Sequence, residues 1–193
     1  MKYFKKSLSI LLRSDFTVFT FKDISILWGD TDSKATLAGI FYYVKTGQLY
    51  RIRKGIYAKD KNYNSLEFAT KIFTPSYVGF ETVLARAGVI FQFYGQIFVA
   101  SYLTREIVAD GRTYVYRKIK DSLLTNHAGM EFASHFMMAS PERAFLDVLY
   151  LNKDYHFDNL SKLDWDKIFE ILPIYEGHQR MEKQVRAFYK KKL

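Results

Sequence analysis

The stretch TFKDISILWGDTDSKATLAGIFYYVKTGQLYRIRKGIYAK, residues 20–59, decides how the chain is read. Thr20-Phe-Lys-Asp23 has capping-box spacing: the Thr oxygen can accept an orphan amide of the first turn, and the Asp can reach back to the helix start. Ile24, Leu27 and Trp28 follow at helical spacing, and Gly29 supplies a stop. After the polar turn Asp30-Thr31-Asp32, a second helix is expected from about Ser33 to Thr46, closed by Gly47. Its inward stripe is read as Leu37, Ile40, Phe41 and Val44. Leu49 to Ala58 then reads as a hairpin bent at Gly55, with Arg51, Arg53 and Lys54 crowding its tip and flank.

Helix, turn, helix and basic hairpin in that order predict a winged helix-turn-helix. Recognition helices of this kind read base edges from their early turns, which makes Ser33, Lys34 and Thr36 the candidates for base reading. Arg51, Arg53 and Lys54 are the candidates for phosphate contact, Arg with a planar bidentate fork. Of Tyr42 and Tyr43, at least one is expected to pack rather than touch DNA. The plainer alternative is a helical hairpin with a solvated charge run.

Charge supports the first reading. Residues 1–75 carry 13 Lys or Arg against 6 Asp or Glu, so +7 of the total net charge of +9 lies at this end. Concentrated positive charge attracts polyanions and releases their counterions. Lys2, Lys5, Lys6 and Arg13 around Leu8, Ile10, Leu11 and Leu12 resemble a signal sequence superficially. Ser14-Asp15 follows instead of a small-residue cleavage site, so the segment is read as the first helix of the domain. No stretch is long and apolar enough to span a membrane. Hydrophobic residues make up 49% and aromatic residues 18% of the 193, ample for a core, and cysteine is absent. The lack of disulfides fits a cytoplasmic location.

The expected organisation is a winged domain over residues 1–60, a linker at Asp60-Lys-Asn-Tyr-Asn64, and a second domain over 65–193. In the latter, Ser65 reads as the cap of a helix to Phe73, and Glu81 to Ala87 as a short helix ended by Gly88. Strands are expected at Val89 to Phe93, Gln96 to Tyr102, Glu106 to Ala109, Arg112 to Ile119 and Met130 to Met138, with Asp110-Gly111 a hairpin signal. Ser140-Pro141 opens a helix with Ala144, Phe145, Val148 and Leu149 beneath. Trp165 to Leu172 and His178 to Lys192 are helical in pattern. The fold class is α+β: the winged domain, then a mixed, mostly antiparallel sheet with packed helices.

The chain resembles the AbiEi family of antitoxins, transcriptional regulators of abortive-infection and type IV toxin–antitoxin operons. The resemblance lies in Gly47-Gln-Leu-Tyr-Arg-Ile-Arg-Lys-Gly-Ile-Tyr57, Ser76-Tyr-Val-Gly-Phe-Glu-Thr-Val-Leu-Ala-Arg-Ala-Gly88, Tyr114-Val-Tyr-Arg-Lys-Ile119 and Ala139-Ser-Pro-Glu-Arg-Ala-Phe-Leu-Asp-Val-Leu-Tyr150. It implies a winged-helix domain that represses its own operon, a C-terminal domain needed for antitoxicity, and a neighbouring nucleotidyltransferase-type toxin.

Catalytic readings are weaker. His127, His135, His156 and His178 lack metal-binding helix spacing. Asp164, Asp166 and Lys167 could serve a metal-dependent nuclease, but Asp164 also reads as a helix cap. Glu142, Arg143 and Asp147 suit fold support, Arg143 and Asp147 being i, i+4. On the last helix, Arg180, Lys183, Arg186 and Lys190 form either a solvated basic tail or a secondary surface for phosphate or an acidic partner. The expected function is therefore a DNA-binding regulator, antitoxin and autorepressor, not an enzyme, with no cofactor or metal. Its expected partners are operator DNA and a nucleotidyltransferase-like toxin, with no membrane. A phage-defence nuclease and a plain winged-helix transcription factor or protein-interaction module are the alternatives.

Overall fold

The computed structural model describes residues 2–29, 32–92 and 94–192, and side chains from Leu8 to Lys191 within these. Asp30 and Thr31 of the expected turn, Phe93, and the side chains of Lys2, Lys5, Lys6 and Lys192 lie outside the described residues. The chain divides into two compact units, residues 1–72 and 73–193. Both combine helices with sheet, an α+β architecture.

The first unit runs α1 (Lys2–Arg13), β1 (Val18–Thr20), α2 (Phe21–Trp28), α3 (Ser33–Lys45), β2 (Tyr50–Arg53), β3 (Ile56–Ala58) and α4 (Ser65–Ile72). Its three strands pair antiparallel in the order β1-β3-β2. The capping box forms: Thr20 Oγ1 accepts the Asp23 amide at 3.2 Å, and the Thr20 amide donates to the Asp23 carboxylate at 2.9 Å. Gly29 ends α2 at φ 65°, a left-handed conformation that costs glycine nothing, and its amide closes on the Ile26 carbonyl at 3.0 Å. Leu11, Phe19, Ile24, Ile40, Tyr43, Leu49 and Tyr57 form the core, with Trp28 edge-on to Tyr43.

The α4 helix belongs to this first unit, whereas the sequence placed it in the second domain. The reason is Glu67. Its carboxylate is 1% exposed and accepts the Thr17 amide (3.0 Å), the Thr17 hydroxyl (2.6 Å) and the Val18 amide (3.2 Å). Lys71, one turn on, bonds Asp23 of α2 at 2.7 Å. Two residues of α4 thus satisfy polar groups of β1 and α2, and a linker at residues 60–64 does not end the unit.

The second unit contains β4 (Ser76–Val78), α5 (Phe80–Arg86), β5 (Gln96–Ser101), β6 (Arg105–Ala109), β7 (Arg112–Lys118), α6 (Asp121–Leu124), β8 (Met130–Ala133), β9 (Phe136–Ala139), α7 (Pro141–Leu151), α8 (Trp165–Ile171) and α9 (Gln179–Lys192). A six-stranded mixed sheet has the order β6-β7-β5-β4-β9-β8, with β5–β7 and β4–β9 parallel and the other pairs antiparallel. The expected strand at Val89 to Phe93 is absent from the described residues. Val89 and Ile90 are buried in a loop instead, and the Val89 carbonyl accepts the amides of Asp158 and Asn159. Met130 to Met138 is not one strand but the hairpin β8–β9, turned at Ser134 with φ 58°.

Candidate nucleic-acid interface

The hairpin β2–β3 follows α3 at once, the Leu49 amide donating to the Tyr43 carbonyl at 3.1 Å. Its tip is tethered as well. The Phe21 amide, first in α2, donates to the Gly55 carbonyl at 3.1 Å. Tyr50 pairs with Ala58, Arg51 with Tyr57 and Arg53 with Ile56, so an extra residue bulges between Arg51 and Arg53. The bulge sharpens local twist, as bulges do. Arg51, Arg53 and Lys54 are all exposed, while Ile52 between them is half-buried. Among the described residues none of the three sits in an ion pair.

The stripe of α3 differs from expectation, and one of the base-reading candidates is lost with it. Thr36, Gly39, Ile40 and Tyr43 are buried; Leu37 and Phe41, expected inside, are 47% and 70% exposed. The helix is rotated by about one residue, roughly 100°, from the phase its apolar residues suggested. Thr36 is 0% exposed and cannot reach a base, while Ser33 and Lys34 remain on the surface. Asp32 caps the helix, its carboxylate accepting the Lys34 amide at 2.8 Å. The two tyrosines divide: Tyr43 packs and Tyr42 is 44% exposed.

On α9, the secondary basic set is partly committed elsewhere. Arg180 donates to the Leu149 and Tyr150 carbonyls at 3.2 and 3.1 Å, closing the C-terminal turn of α7. Arg186 pairs with Glu182 at 2.9 Å, while Lys183 and Lys190 are exposed. Met181 and Val185 are buried, so α9 packs by that stripe.

Charged residues of the second unit that invited a catalytic reading have structural partners. Asp164 caps α8, accepting the Asp166 and Lys167 amides at 3.0 and 3.3 Å, and its own amide donates to Glu142 at 3.2 Å. Arg143 and Asp147 are wholly buried 3.1 Å apart. The hydroxyls of Tyr77 and Tyr175 donate to Asp147 at 2.7 and 2.6 Å, and Arg143 donates to the carbonyls of Leu123 and Ala128. Burial weakens the Arg143 cation, but Asp147 beside it, with Tyr175 and Tyr77, more than reverses this, holding it above its ordinary value. Burial also lifts Asp147 toward neutrality against Arg143 and the two hydroxyls. With this many donors in reach, the ionised pair is the arrangement the geometry favours. Sequence spacing identified the pair but not the tyrosines 70 residues before and 28 after Asp147. Gly129 makes room for it: a Cβ there would lie 2.8 Å from Arg143 Cβ and 2.6 Å from Ile171 Cδ1.

No family model and no curated protein matches the sequence. Among solved structures, the chain is similar to the RV2827C protein of Mycobacterium tuberculosis at 13% identity and a TM-score of 0.50. That match covers 97% of this chain and 77% of the other. At this identity the likeness is one of fold.

Proposed function

We propose that the protein is a DNA-binding transcriptional regulator whose first unit is a winged helix-turn-helix, with α3 as recognition helix and β2–β3 as wing. The observation that carries this reading is the hairpin: three exposed cations, free of ion pairs among the described residues, held on a strand pair tethered to α2 and continuous with α3. Arg51, Arg53 and Lys54 hold phosphate. Ser33 and Lys34 remain at the N-terminal turn of α3 to meet base edges. With the AbiEi resemblance, the role extends to autorepressor and antitoxin of a toxin–antitoxin operon, its functional partner a nucleotidyltransferase-like toxin.

Anisotropy titrations of duplex DNA across a salt series test the reading. Affinity should fall steeply as salt rises, and the triple change Arg51→Ala, Arg53→Ala, Lys54→Ala should flatten the log–log slope by about 3. Binding undetectable at low salt, or indifferent to salt, would overturn it. For the antitoxin role, co-expression with a nucleotidyltransferase-like toxin encoded beside it should restore growth, and continued arrest, or the lack of such a neighbouring gene, would leave a plain transcription factor.

A further inference from the structure

The α3 helix presents two opposed stripes. Thr36, Ile40 and Tyr43 enter the core. Lys34, Leu37, Ala38, Phe41 and Lys45 are exposed, at i, i+3, i+4, i+7 and i+11 on the opposite side. An outward helix face is ordinarily polar, yet here an apolar row stands in water between two cations. Neither Lys34 nor Lys45 forms an ion pair among the described residues. From Lys34 to Lys45 the helix advances about 16 Å at 1.5 Å per residue.

The major groove of B-DNA is about 12 Å wide, carries phosphate along both edges, and offers one strongly apolar group on its floor, the thymine 5-methyl. A row of cation, apolar, apolar, apolar, cation matches that cross-section. We infer that α3 selects T·A pairs through apolar contact of Leu37, Ala38 and Phe41 with thymine methyls, with Lys34 and Lys45 reaching toward the flanking phosphates. This deepens the DNA-binding reading and rests on it. Charge complementarity chooses the occupant: Arg51, Arg53 and Lys54, free of ion pairs among the described residues, extend the same positive charge, which suits a polyanion better than an apolar protein partner.

The test uses the full chain and 24-base-pair duplexes (a probe length of about two helical turns) selected from a randomised pool by rounds of binding. The tightest duplex is compared with its counterpart in which every thymine is uracil, which keeps pairing and removes only the methyl. The thymine form should bind about fourfold more tightly for each methyl contacted. Phe41→Ala should lower the thymine preference by about fourfold, the share of one methyl contact, whereas Arg53→Ala should weaken both equally and keep the preference. Equal wild-type affinity for the two duplexes would overturn the inference and leave the DNA-binding reading standing. Loss of a self-associated species in Phe41→Ala with the thymine preference intact would overturn it too, marking the face as a protein interface. No duplex binding at low salt would remove both readings.

Discussion

At the scale of single residues, Thr36 and Lys34 separate two jobs that share one helical turn. Thr36 is buried and Lys34 is exposed, though only two positions apart. Thr36→Lys should destabilise the protein by about 3 kcal/mol or more, because a buried cation there has no place in the packed interior. Lys34→Ala should change stability by less than about 0.5 kcal/mol yet weaken DNA binding. Urea melts and duplex titrations on the same two variants check this. If Thr36→Lys folds normally and shifts base preference, the assignment of the buried stripe is wrong. The capping box at Thr20 and Asp23 was legible in sequence because cap chemistry is local. The phase of α3 was not: Leu37 and Phe41 are apolar, and periodicity cannot tell an apolar residue left exposed from one turned inward to the core.

At the scale of elements, α2 and α4 are joined through the Asp23–Lys71 pair. Burial pushes the Asp23 carboxyl up, but the hydrogen bond and charge of Lys71, with the amide and hydroxyl of Thr20, outweigh it and hold the group below its ordinary value. A depressed carboxyl stabilises the fold in full above its unfolded value of about 4 and loses that contribution as pH falls through the folded value. Melting temperature measured from pH 7 downward should therefore drop below about pH 4 in the wild type. The drop should be smaller in Asp23→Asn, which is less stable at neutral pH. Parallel curves for the two proteins would refute the joint. The strands were legible where alternation and Asp110-Gly111 marked them, as in β6 and β7. They failed where burial was irregular: Val89 and Ile90 are core residues in a loop, and the β8–β9 turn at Ser134 and His135 lacks the usual turn glycine.

At the scale of the whole molecule, the boundary at Ile72 rather than Asp60 predicts what can be cut. A fragment of residues 1–72 should fold cooperatively and keep the salt dependence of DNA binding. A fragment of residues 1–60 should be markedly less stable, since it leaves the Thr17 and Val18 amides without Glu67. Circular dichroism melts of the two fragments, followed by duplex titration, decide between boundaries; equal stability would restore the shorter domain. Composition and charge asymmetry located the basic end of the chain. Its true extent was hidden because it depends on one carboxylate reaching back 50 residues, a contact without a sequence signature.

The two stripes of α3 share no residue. Changes at Leu37, Ala38 or Phe41 should leave the packing of Thr36, Ile40 and Tyr43 intact, and the two sets of effects should add. If α3 reads DNA as proposed above, specificity is then free to drift: point substitutions on one side of a single helix change the target without touching the packed side, so divergence into insulated, non-cross-reacting regulators has a short mutational path.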